Sequence, residues 1–166
     1  MSAVIAVRPL RPDEARAFLE VHHAAIRGIP NGIYPLEVIE AWSSPPVTEA
    51  VIERFLQNPG EEIRLVAEVD GQIVGIGALV VANSELRACY IHPAAARQGV
   101  GSALVSEIER IAKDDGLTHL QLASSINAEP FYASHGYEVV ERGEHVLRTG
   151  VRMASVKMRK SFAQTR

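Results

Sequence analysis

Cys89-Tyr90-Ile91-His92-Pro93-Ala94-Ala95-Ala96-Arg97-Gln98-Gly99-Val100-Gly101-Ser102-Ala103-Leu104 reads as a buried strand, a sharp turn and the first turn of a long helix. Pro93 removes a ladder donor and stops the strand. Gly99 and Gly101 lack a Cβ, so the backbone there tolerates a close neighbour above the helix end. A helix start leaves about four N–H groups without intrahelical partners, and the dipole adds roughly half a positive charge. With Arg97 beside it as a fixed cation, this end suits an anion, phosphate above all. The same spacing also fits an ordinary strand-to-helix turn in which glycine serves geometry alone, because short Gly-x-Gly matches are common.

Upstream of this stretch, Ile63 to Val69 and Gln72 to Val81 read as strands joined by Asp70-Gly71, a strong hairpin signal. Gly75 and Gly77 weaken the second strand and point to a bulge or a close approach. Asn83-Ser84 then turns the chain into a strand from Glu85 to His92. Val4 to Arg8 is a first strand ended by Pro9. Pro12 and the acidic pair Asp13-Glu14 open a helix that carries an apolar stripe to Gly28. Tyr34 to Trp42 and Val47 to Gln57 read as two short helices, separated by a break at Ser43-Ser44-Pro45-Pro46. Downstream, a helix from Gln98 to about Asp115 shows Val100, Leu104, Val105, Ile108 and Ala112 at helical spacing, and Gly116 stops it. Leu117 to Ala123 is a strand, Ser124 to Asn127 a loop, and Glu129 to Ser134 a short helix with Pro130 in its first turn. Tyr137 to Leu147 and Val151 to Met158 close the chain as two strands. The order is α/β with a mixed sheet. A doubly wound dinucleotide fold would place its glycine turn after the first strand, whereas here it follows the fourth.

The chain has 166 residues, one domain by the usual size prior, spanning 1–166. A single cysteine excludes an internal disulfide and a Cys-based zinc framework. A net charge of −3 with both signs interspersed argues against a nucleic-acid surface. The start is too soon interrupted by Arg8-Pro9 for a signal peptide, and the longest apolar run, Ile73 to Ala82, cannot span a bilayer. The expectation is a soluble, cytoplasmic protein with no membrane partner. His22 and His23 are adjacent on a helix and cannot share a metal as an i,i+4 pair would. His119, His135 and His145 show no ligand spacing, so no metal is expected.

Tyr90-Ile91-His92-Pro93 followed by Arg97-Gln98-Gly99-Val100-Gly101 resembles the acetyl-CoA-binding motif of the GNAT superfamily of N-acetyltransferases. Ala96 stands where that motif has Gln or Arg, and Arg97 follows one place later. A second match is Ala123-Ser124-Ser125-Ile126-Asn127-Ala128-Glu129-Pro130-Phe131-Tyr132-Ala133-Ser134-His135-Gly136-Tyr137, similar to the family's Pro-Phe-Tyr-x-x-x-Gly-(Tyr/Phe) motif. The resemblance implies a mostly antiparallel central sheet of about six or seven strands, flanked by helices. It also implies that the sheet splays between strands 4 and 5, with the pantetheine in the gap. It implies cofactor contacts from Cys89, Tyr90, Ile91, Arg97, Gln98, Gly99, Val100, Gly101, Ser102, Ser125 and Tyr132, with acetyl-CoA as cosubstrate. A homodimer is an expectation from the family. The first third resembles a bacterial subgroup with a Tyr-x-x-x-x-Ile-x-x-Trp pattern, here Tyr34 to Trp42.

The reaction implied is acetyl transfer from a thioester to the primary amine of a small molecule or peptide. By the resemblance Tyr132 faces the sulfur as general acid. A tyrosine near pKa ~10 transferring fully to a thiolate near ~8.5 runs uphill by roughly 2 kcal/mol, so either its pKa is lowered or it mainly hydrogen-bonds the sulfur. The oxyanion needs donors, and the Ile91 N–H of a splayed strand is the natural one. Glu85 and His92, at the two ends of the central strand, are candidate bases acting through water. Glu85 also reads as a solvated strand end and His92 as turn filling. Cys89 lacks an evident partner base and reads as a buried structural cysteine. Tyr34, Trp42, His22 and His23 are candidates for the acceptor wall, with Val151-Arg152-Met153 opposite. Two rivals stand beside this reading. One is an acyl-CoA-binding sensor without turnover. The other is a nucleotide-binding protein of another class, which the absence of a Gly-x-x-x-x-Gly-Lys loop disfavours.

Overall fold

Seven strands make one sheet in the computed structural model, which describes residues 3–43 and 46–163. They are β1 (Ile5–Pro9), β2 (Ile63–Val69), β3 (Gln72–Val80), β4 (Glu85–Ile91), β5 (His119–Ser125), β6 (Glu138–Val146) and β7 (Arg152–Ser161). In space they run β1-β2-β3-β4-β5-β7-β6. Every neighbouring pair is antiparallel except β4 with β5. The helices are α1 (Ala15–Arg27), α2 (Leu36–Ser43), α3 (Glu49–Gln57), α4 (Val100–Asp114) and α5 (Glu129–Ser134). The sequence break at Ser43 to Pro46 centres on residues 44–45, outside the described residues.

Strand alternation sorts the core into two layers. Leu65 and Ala67 of β2 join Leu79 and Leu86 against the α4 stripe of Val100, Leu104, Val105, Ile108 and Ala112. Val66, between them, points the other way and meets Phe18 and Val21 of α1 with Ile76. Leu104 and Ile108 are fully buried, each worth about 1.5–3 kcal/mol relative to exposure. The glycines of β3 explain how close α4 lies. A Cβ on Gly75 would sit 2.7 Å from Val100 Cγ1, and one on Gly77 2.9 Å from Ile108 Cδ1. The bulge expected there also exists: Val74 is an extra residue opposite β2 between the Ala67–Gly75 and Glu68–Ile73 pairs.

The sheet opens between β4 and β5. These strands share one bridge, Glu85 with Gln121, where the Gln121 N–H donates to the Ser84 carbonyl at 2.8 Å. Just beyond it the β3–β4 register passes from Leu79–Leu86 to Ala78–Ala88, which leaves Arg87 as an extra residue. Such a bulge bends its strand and increases its twist, and here it turns β4 away from β5.

Several expected boundaries move. Pro9 belongs to β1, paired with Leu65, because an edge strand tolerates a missing donor. Pro12–Glu14 is a separate 3-10 turn, and α1 proper begins at Ala15. Tyr34 lies outside α2, because the residue before a proline is pushed out of the helical region and Pro35 follows it. β5 runs on through Ser124 and Ser125, which were expected in a loop, and β7 extends to Ser161. Substituting Gly75→Ala is expected to cost about 1–3 kcal/mol by overpacking against α4. Gly143→Ala, with open space around it, should stay within about 0.5 kcal/mol of the parent. Urea denaturation of the two variants checks the contrast.

Candidate active site

The turn after β4 is built from two left-handed residues, Arg97 at φ 62° and Gly99 at φ 86°. Gly99 is the N-cap of α4, and the Ala103 N–H bonded to the Gly99 carbonyl at 3.1 Å is the helix's first bond. The amides of Val100, Gly101 and Ser102 therefore point out of the helix end without intrahelical partners. Arg97, Gln98 and Ser102 are exposed around this end. What approaches Gly101 is the protein itself, since a Cβ there would meet Phe131 Cζ at 3.0 Å. Its missing side chain lets α5 dock on the first turn of α4. His92 completes the turn: its Nδ1 accepts from the Ala94 N–H at 3.1 Å.

The opened edge of β4 faces a cavity of about 160 Å³ whose lining includes Cys89, Tyr90, Ile91, Ser125, Asn127 and Tyr132. The His92 N–H bonds the Val74 carbonyl of β3 at 2.8 Å, so strand alternation turns the Ile91 N–H toward the gap. Tyr132 is only 6% exposed, and burial, reinforced by Cys89, Tyr90 and Tyr137, holds its phenol well above the usual range. Burial pushes Tyr90 up to about 12 and the Cys89 thiol up to about 12. Cys89 stays protonated and carries no nucleophilic thiolate at neutral pH. Burial thus works against the lowered Tyr132 pKa that is one of the two alternatives from the sequence. Beneath Tyr132, the Tyr137 ring lies at 5.9 Å, and its hydroxyl donates to buried Glu109 at 3.2 Å. Lys160 Nζ donates to the same carboxylate at 2.7 Å, tying α4, β7 and the aromatic pair together.

A second cavity of about 430 Å³ continues from the first and shares Trp42, Arg87, Tyr90 and Ser125 with it. Its remaining wall includes Glu85, His145, Met153 and Ser155. Glu85 is paired with Arg87, whose Nη2 donates at 2.8 Å. Trp42 meets Tyr90 edge-on with ring centroids 6.2 Å apart. Among the described residues no group of three or more His, Cys, Asp or Glu is arranged to hold a metal ion.

The structure thus brings Cys89, Tyr90, Ile91, Ser125 and Tyr132 to one gap, and Trp42 and Glu85 to its outer part. Arg97 to Gly99 and Ser102 stay at the helix end. Tyr34 is placed elsewhere. Its hydroxyl donates to the Ala154 carbonyl at 2.6 Å and accepts from the Ile126 N–H at 2.9 Å, both within the fold. His22 lies behind Tyr90, edge-on at 4.5 Å, and His23 Nδ1 bonds the Ser43 carbonyl at 2.7 Å. His145 and Arg87 belong to the cavity and were missed. Only the β6–β7 register, which sets His145 opposite Met153, and the β4 bulge place them there.

An open strand pair beside a helix-end anion cradle, with a buried tyrosine across the gap, defines an acyltransferase-type site. The chain belongs to the GNAT acetyltransferase family, whose domain model matches residues 30–162. A GCN5-related N-acetyltransferase from Rhodopseudomonas palustris is similar to it at 28% identity over 98% of both chains, with a TM-score of 0.87. The PaiA N-acetyltransferase of Thermoplasma acidophilum, solved with coenzyme A, shares the fold at 23% identity over 96% of this chain and 99% of that one, TM-score 0.73. The phosphinothricin acetyltransferase of Sinorhizobium meliloti, solved with acetyl-CoA, does so at 17% identity over 98% and 89%, TM-score 0.72. No curated protein matches the sequence. Among the described residues no helix is long and apolar enough to cross a membrane.

Two outcomes follow from the walls. Tyr34→Phe strands a carbonyl and an amide and is expected to cost about 1–2 kcal/mol, read by thermal or urea denaturation. Burial, then the neighbouring His23, pushes His22 from 6.5 down to about 4. Between those values the unfolded chain binds the proton and the folded one does not, so His22 makes stability fall as pH drops through that window. His22→Phe should remove this share of the slope in Tm against pH.

Proposed function

We propose that the chain transfers the acetyl group of acetyl-CoA to a primary amine of a small molecule or peptide, by direct attack on the thioester in a ternary complex. The observation that carries this reading is the meeting of Tyr132 with the free edge of β4 in one gap. The amides of Val100, Gly101 and Ser102, with Arg97 and Gln98 beside them, fit a diphosphate. The gap between Cys89–Ile91 and Ser125 fits the pantetheine arm. That two solved relatives hold coenzyme A and acetyl-CoA supports acetyl-CoA as the cosubstrate.

Each residue then has a defined task. The Ile91 N–H donates to the oxyanion as the amine attacks. Tyr132 keeps its proton, because burial raises its phenol, and stabilises the departing sulfur as a hydrogen-bond donor. Trp42 and Tyr90 exclude water from the amine side, and Glu85 with Arg87 lies at its far end. Tyr34 acts at a distance by joining the two ends of the acceptor wall.

Tyr132→Phe is expected to lower kcat by roughly 10²-fold while leaving acetyl-CoA affinity nearly unchanged, within the usual range for a single proton-handling group. Ser102→Glu places a carboxylate at the cradle while suiting the helix end, and should abolish acetyl-CoA binding in a calorimetric titration without loss of stability. Tight acetyl-CoA binding without turnover of any amine would assign the sensor alternative instead.

A further inference from the structure

We propose that His145 takes the proton from the acceptor amine, an inference that rests on the transferase reading above. Two side chains of the acceptor cavity are built to accept a proton, Glu85 and His145. Glu85 is already engaged. Arg87 Nη2 donates to one of its oxygens at 2.8 Å, Arg87 Nε to the other at 3.4 Å, and Asn83 Nδ2 approaches at 3.4 Å. An incoming ammonium must displace this guanidinium before it reaches the carboxylate. His145 lines the same cavity, and no side-chain hydrogen bond engages it among the described residues.

The sheet fixes that placement. His145 pairs in register with Met153, and Gly143 with Ser155, so His145, Met153 and Ser155 share the face that looks toward Trp42 and Tyr90. The other charged or titratable groups around it are few. From β4 they are Glu85, Arg87 and Tyr90, the last kept neutral by burial. Along the hairpin, Glu144 and Arg152 flank His145 and lie 3.9 Å from each other. His145 is solvent-exposed, so a proton taken from the amine has a route to bulk water. Imidazole is the side chain that exchanges protons near neutral pH.

The step balances. A C–N bond forms between the amine nitrogen and the acetyl carbon, and the C–S bond breaks with its electron pair staying on sulfur. From ammonium to amide the nitrogen sheds two protons: the first goes to His145 before the attack, directly or through one water, and the second passes to solvent as the C–S bond breaks. The thiolate is held by the Tyr132 hydroxyl and collects a proton from solvent as it leaves.

The test compares two acceptors of similar size that differ in protonation. Ethylamine is almost wholly ammonium at neutral pH, as a lysine near pKa ~10.4 is. Trifluoroethylamine is already neutral there and needs no base to become a nucleophile. For His145→Gln, the rate with ethylamine should fall by roughly 10²-fold, in the range of one lost general base. The rate with trifluoroethylamine should change little. Added imidazole should restore ethylamine turnover in His145→Ala, which a purely structural role does not allow. Glu85→Gln should keep the wild-type ratio between the two amines. Equal losses for both amines, no loss for either, or a ratio that moves with Glu85→Gln alone each overturn the assignment and leave the transferase reading standing. If the wild-type protein binds acetyl-CoA yet acetylates neither these amines nor any of a broad panel of amines and peptides, the transferase reading fails first, and the role of His145 falls with it.

Discussion

The structure depends on one constraint: β4 and β5 are neighbours in a continuous sheet yet touch at a single bridge, Glu85 with Gln121. A parallel pair normally exchanges evenly spaced bonds along its length, and leaving such bonds unmade in a protein interior costs free energy for every orphaned amide. Here the unmade bonds become the site. The extra residue Arg87 bends β4 outward, α4 holds the strand from one face through the glycines of β3, and α1 holds it from the other. Among the described residues the edge that results pairs with β5 at that bridge alone, and aromatic side chains line it. On the proposed function this edge receives the pantetheine arm and the developing oxyanion.

Burial also decides how the phenols of the gap work. Tyr90 and Tyr132 are held protonated, and so is the thiol of Cys89. The gap is therefore lined by neutral donors rather than by ionisable acids. Charge flanks it: Arg97 at the helix end, and the Glu85–Arg87 pair toward the outer cavity. That division suits the proposed reaction between a polyanionic cosubstrate and an amine, since fixed dipoles act most strongly in a neutral middle.

Much of this was legible in the sequence. The Asp70-Gly71 turn, the glycines facing α4 and the glycine-rich start of α4 each carry local chemistry that spacing alone exposes. The residues along Cys89–Ile91 and at Tyr132 were readable because two short motifs place them. Tyr34 was not. A tyrosine before Pro35 looks like part of an aromatic helix face, and only the paths of β7 and the β5–α5 loop show that both sides of its hydroxyl are occupied. His145 and Arg87 were hidden for a related reason. Their positions follow from a hairpin register and a one-residue bulge, and sequence periodicity is blind to both. Gly101 was legible as a close approach, but the neighbour is Phe131, a partner thirty places along the chain.

In the outer cavity Trp42 and the residues from His145 to Ser155 close around a middle formed by β4 and β5, and the Tyr34 hydroxyl helps to fasten these two outer segments together. The cosubstrate half comes from a single run through the middle. Inheritance can therefore act on the two halves separately. On the proposed function, change in the outer segments retunes which amine is received while the central run stays untouched, so long as the Tyr34 fastening persists. So divided, the chain can keep one donor and change clients by exchanging its margins.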